Sequence, residues 1–72
     1  MTLNEILSIW DRGESPVGLT IFRLFEDDPD DWRPVYTQNY LRDIRDIPNI
    51  YRDKQITRFE IWSDDLYVYM YL

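Results

Sequence analysis

Three groups of residues in this chain of 72 have the types and spacing to do chemistry: an acidic run, a pair of acids further on, and an alternating tyrosine stripe. The run is Glu26-Asp27-Asp28-Pro29-Asp30-Asp31. Carboxylates at that density suit calcium, a hard cation that takes oxygen ligands. The spacing departs from an EF-hand loop, because Trp32 follows Asp30-Asp31 and no glycine stands at the sixth position. A solvated turn is therefore the expected state. The same acids have another use. Carboxylates held on a rigid surface can take the places that phosphates occupy in a basic groove. Asp64 and Asp65, with Asp43 and Asp46 in the middle of the chain, would extend such a surface if both acidic turns fell at one end of a sheet.

The stripe is Tyr67, Tyr69 and Tyr71, alternating with Leu66, Val68, Met70 and Leu72. A period of two sends the two sets to opposite faces of a strand, with the tyrosines about 6.6–6.8 Å apart. The aliphatic set is the core set. The tyrosines then face solvent, a second layer of this chain, or another chain. Cross-strand aromatic pairs stabilise sheets on their own account, while tyrosines on an open face are typical interface anchors.

Enzymatic chemistry is poorly supplied. The chain has no histidine and no cysteine, which removes the commonest general base, the thiol nucleophile and the usual zinc sites. Ser8, Ser15 and Ser63 lie in no nucleophile-elbow pattern. Gly13 and Gly18 are too far apart for a phosphate-cradling loop. No cofactor or metal is expected, and the chain reads as a binding protein rather than an enzyme. Its net charge of −6 disfavours direct contact with nucleic acid, which needs basic surface, and with anionic membranes. No signal peptide or membrane span is recognisable, so the cytoplasm is the expected location.

Those residues need elements to position them. The length predicts one domain, residues 1–72. With no disulfides, its stability must come from apolar packing, and 44% hydrophobic and 17% aromatic residues provide the means. Thr2 and Glu5 form a capping box, and Met1 and Ile6 occupy the staple positions. Leu3, Ile6, Leu7 and Trp10 follow a helical face, predicting a helix over about 3–12 that ends at Gly13 and Pro16. Val17 to Phe25 reads as a central strand. Glu26 to Asp31 reads as a turn, and Arg33 to Tyr40 as an edge strand because of Pro34. Tyr40 to Asp46 fits a helical turn or two. Ile56 to Trp62 and Leu66 to Leu72, separated by Ser63-Asp64-Asp65, read as a β-hairpin.

A capped opening helix (Leu3-Asn4-Glu5-Ile6-Leu7) and the closing run Ile56 to Tyr69 resemble small acidic proteins of phages and mobile elements of Gram-positive bacteria. Anti-CRISPR inhibitors are among them. The likeness covers both ends, about half of the chain. It implies an inhibitor working in a bacterial host cell that blocks the DNA-binding surface of its target, as a DNA mimic would.

The expected architecture is α+β: an N-terminal helix packed on a three- or four-stranded antiparallel sheet that ends in a C-terminal hairpin. Leu3, Ile6, Leu7, Trp10, Leu19, Ile21, Phe59, Ile61, Val68 and Met70 are the expected core. The expected function is a non-catalytic inhibitor whose protein target has a basic nucleic-acid-binding groove. Glu26, Asp27, Asp28, Asp30, Asp31, Asp64, Asp65, Tyr67, Tyr69 and Tyr71 are the candidate contact residues. The alternative is an assembly module that joins another chain, or a second copy in a homodimer, through the tyrosine face or an open sheet edge.

Overall fold

A computed structural model describes residues 1–9, 17–41 and 43–72, with Val17 and Ile44 described by their backbone alone. Trp10, Gly13 and Pro16 therefore lie outside the described residues. The first helix, α1 (Leu3–Ile9), starts where the sequence requires. The Glu5 amide donates to Thr2 Oγ1, and the Thr2 amide donates back to Glu5 Oε1, both at 3.3 Å. This reciprocal pair satisfies two amides that the first turn leaves without partners. Met1 ties the helix to the far end of the chain: its carbonyl accepts from the Ile56 amide at 2.6 Å and its ammonium donates to Gln55 Oε1 at 2.7 Å.

Four strands follow: β1 (Val17–Phe25), β2 (Asp28–Leu41), β3 (Arg58–Trp62) and β4 (Asp65–Tyr71). They form one sheet in the order β2-β1-β4-β3. The α+β architecture and the closing hairpin are as expected. The sheet is mixed rather than wholly antiparallel, because β4 lies parallel to β1. The cause is the route between β2 and β3. Residues 43–57, which include a 3-10 turn (Ile44–Asp46) and α2 (Asn49–Arg52), carry the chain back along the sheet before β3 begins. The hairpin then places β4 alongside β1, running the same way.

Turn chemistry occupies less of the acidic run than its composition implies. Only Glu26 and Asp27 form the turn; Asp28 already pairs with Phe25, and β2 continues through Pro29 and Pro34 at the sheet edge. Three register shifts interrupt the β1–β2 ladder, and two of them fall beside Pro34 and Pro29.

Leu19 and Ile21 of β1 and Leu66, Val68 and Met70 of β4 form the inner face, packed against Leu3 and Ile6 of α1 with Leu41 and Ile47. Leu7, Tyr36, Tyr51 and Ile56 pack around this cluster. Phe59 and Ile61, expected in the core, are each 42% exposed. They have the correct parity, but β3 is the outermost strand and lies at the margin of the helical layer. Leu41 and Ile47 are core residues that periodicity did not single out, and Leu72, the last of the alternating aliphatic set, is exposed at the end of β4.

Within α1 the two faces should respond very differently to truncation. Ile6 is fully packed and Ile9 is 71% exposed. Ile6→Ala is expected to cost about 2–5 kcal/mol, and Ile9→Ala to stay within about 0.5 kcal/mol. Urea unfolding of both variants checks this, and equal losses would refute the placement of α1.

Candidate functional site

The parity that turns Leu66, Val68 and Met70 inward turns Tyr67, Tyr69 and Tyr71 to the other face. Parallel pairing places Thr20, Phe22 and Leu24 beside them on β1. Antiparallel pairing sets Arg58 beside Tyr69 and Glu60 beside Tyr67 on β3. From β2, Trp32 arrives opposite Leu24. The result is a connected group of rings. Phe22 stacks on Tyr69 with centroids 4.9 Å apart and meets Trp32 edge-on at 5.2 Å. Tyr69 meets Trp32 at 6.1 Å, and Phe22 approaches Tyr67 at 6.2 Å. The Arg58 guanidinium lies 4.2 Å from the Tyr69 ring centre, a cation–π arrangement.

The three tyrosines therefore differ in role. Tyr69 is only 7% exposed although no helix among the described residues covers it, because Phe22, Trp32 and Arg58 enclose it. It supports the patch. Tyr71 is 43% exposed, Trp32 49% and Trp62 62%, and these side chains present its apolar surface. Among the described residues α1, Ile47 and α2 pack on the opposite, inner side of the sheet. Phe22 and Trp32 escaped the sequence reading because their rings join the stripe only through strand order. The signal for Trp32 was its position directly after the acidic run.

The acids do not form one surface. Glu26 and Asp27 sit where β1 ends, whereas Asp65 pairs with Gly18 where β1 begins. Seven residue steps at about 3.3 Å separate these points by roughly 23 Å. Asp43 follows Leu41, which pairs with Val17, so it belongs to the Asp64-Asp65 end. The first cluster adjoins Trp32 and the second adjoins Trp62, so each acidic turn sits at one end of the aromatic patch. Asp31 pairs with Arg33 at 3.5 Å, with both side chains solvated. The Asp30 amide donates to Asp28 Oδ1 at 3.2 Å. No group of three or more acidic side chains among the described residues is placed to hold a metal ion.

One carboxylate has a distinct local task. Asp43 opens the 3-10 turn: its Oδ1 accepts from the Arg45 amide at 2.9 Å, and its Oδ2 takes the Arg45 guanidinium at 2.7 Å. The Arg45 side-chain hydrogen bond, then the backbone one, holds the Asp43 pKa down at about 2 instead of 3.8.

Among the described residues, no helix is long and apolar enough to cross a membrane. Comparison with family models, with curated proteins and with solved structures finds no match for this chain. The surface is thus read on its own chemistry.

The Asp43 bond predicts a pH signature. Because the folded-state pKa lies below 3.8, its contribution is complete above about pH 4 and is lost as pH falls toward 2. Carbon-detected NMR titration should find Asp43 titrating near 2, and Arg45→Ala should move it upward. An unchanged midpoint in that variant would show that Arg45 is not the cause.

Proposed function

We propose that this chain is a non-catalytic protein-binding module that docks a basic partner surface with the aromatic face of its sheet. The observation that carries this is the ring cluster of Phe22, Trp32, Tyr67 and Tyr69 on the face opposite the helices, flanked by the exposed Tyr71 and Trp62. Contiguous exposed aromatic surface is uncommon on a monomer and marks interaction sites. Tyrosine and tryptophan bury large areas while still offering a hydrogen bond, and they dominate interface energetics.

The flanking acids indicate the chemistry of the partner. Glu26, Asp27, Asp28, Asp30 and Asp31 bound the patch at one end, with Asp64 and Asp65 at the other. A complementary surface is apolar in its centre and basic at both flanks. A groove that binds single-stranded nucleic acid combines basic walls with apolar, aromatic stacking surface in this way. This favours an inhibitor that occupies the nucleic-acid-binding surface of a processing protein. The likeness of both chain ends to phage and mobile-element inhibitors, anti-CRISPR proteins among them, leans the same way. In this arrangement the acids steer the approach, and the rings hold the complex.

Affinity capture from a bacterial host, followed by measurement of binding to the captured partner, tests the division of labour. Trp32→Ser and Tyr71→Ser are each expected to weaken binding by at least about tenfold while the fold persists. Replacing Asp27, Asp28 and Asp30 by Asn should slow association at low ionic strength and have little effect once salt screens the surface. A partner that binds all these variants as it binds the parent would refute the proposed surface.

A further inference from the structure

The two edges of the sheet are defended unequally. β2 carries Pro29 and Pro34, three register shifts, and the charges of Asp28, Asp30, Asp31 and Arg33. Each of these features discourages a further strand from adding at that edge. β3 is less defended: its five residues carry Arg58 and Glu60 but no proline, and its ladder with β4 has no register shift. It also leaves Phe59 and Ile61 part open on the inner face and Trp62 open on the aromatic face.

We propose that β3 pairs antiparallel with β3 of a second copy of this chain, in a register centred on Phe59, to make one eight-stranded sheet. The pairing runs through the backbone edge of β3, which borders the aromatic face at Arg58 and Trp62, and the inference does not rest on the partner reading above. Backbone geometry supplies the first argument. A two-residue turn, Ser63-Asp64, joins the strands and closes on Trp62 paired with Asp65. Such a turn closes on a hydrogen-bonded pair, and these pairs alternate along an antiparallel ladder. Trp62, Glu60 and Arg58 thus direct their backbone groups to β4, while Phe59 and Ile61 direct theirs outward.

Symmetry and charge then select the register. A two-fold axis perpendicular to the sheet keeps inner face with inner face, so one residue must sit opposite itself. Centred on Glu60, two carboxylates would meet directly, which destabilises a sheet. Centred on Ile61, pairing would run into the turn. Centred on Phe59, Arg58 faces Glu60 of the second copy and Glu60 faces its Arg58, giving two cross-strand ion pairs. Phe59 meets its own copy on the inner face, and Thr57 lies opposite Ile61. The ladder ends at this pair, because the Thr57 amide is already held by the Tyr69 carbonyl of its own chain and the Ile56 amide by the Met1 carbonyl, so Thr57 offers only its carbonyl. Arg58 lies over the Tyr69 ring and Glu60 accepts from the Trp62 indole at 3.1 Å, but both side chains stay solvated and approach each other only to 3.9 Å, so the pairs to the second copy add to these contacts. The two aromatic patches would then lie on the same side of the joined sheet, and two linked binding surfaces gain avidity without any new contact.

Sedimentation and cysteine crosslinking test this directly, since the chain has no cysteine of its own. The interface is small, so wild-type protein is expected to shift from monomer to dimer between roughly 10 μM and 1 mM. Phe59→Cys should form a disulfide-linked dimer under mild oxidation, because paired Cα atoms lie about 5.5 Å apart. Ile61→Cys should not, because its copies would be four steps apart, about 13 Å. Arg58→Glu and Glu60→Arg should each sediment as monomers, and an equimolar mixture of the two should recover the dimer. Circular dichroism checks that each variant is folded, and the wild-type sedimentation decides the matter if any is not. A wild-type monomer at every concentration would overturn the proposal. So would crosslinking at residue 61 that matches residue 59, or a mixture that stays monomeric. None of these failures would touch docking by the single chain.

Discussion

Parallel pairing of β1 with β4 is the interaction on which the rest of the molecule depends. It sets Leu19 beside Leu66 and Ile21 beside Val68 on one face, and Phe22 beside Tyr69 on the other. Every later feature follows from that register. The aliphatic face receives α1 and the connection between β2 and β3, which together supply Leu3, Ile6 and Ile47. The aromatic face gathers the side chains that the helices do not cover. A register shift of one residue would exchange the two sets and leave neither face self-consistent.

Among the described residues the helices pack on the aliphatic face alone, against a four-stranded sheet. With no disulfide to staple the chain, the second face must lower its own exposure. It does so by ring stacking: Tyr69 becomes a buried residue on an uncovered face because Phe22, Trp32 and the Arg58 guanidinium close around it. The surface that results is apolar in its centre and acidic at both ends, a combination suited to recognition.

Local signals in the sequence were readable where one element carried the whole pattern. Thr2 and Glu5 announced the helix cap, and the alternation of Leu66 to Leu72 announced both faces of β4. Pro34 marked β2 as an edge strand, and β2 is one. What stayed hidden depends on strand order. Nothing in the local pattern shows that β4 pairs with β1, so the parallel pair, the opposite placement of the two acidic turns and the recruitment of Phe22 and Trp32 were not legible. Phe59 and Ile61 show the same limit. Their parity was right, but burial also depends on how far the helical layer reaches, and β3 lies at its margin.

The central claim is that the face bearing Trp32, Tyr69 and Tyr71 is open in the isolated chain, with Tyr69 sheltered only by its neighbours. Solvent paramagnetic relaxation enhancement from a neutral gadolinium chelate, measured on dilute protein, reads this residue by residue. The account predicts strong enhancement at the Trp32 and Tyr71 rings, weak enhancement at Tyr69, and none beyond background at Leu66, Val68 and Met70. Protection of Trp32 and Tyr71 equal to that of Leu66 would contradict it, because the second face would then be interior.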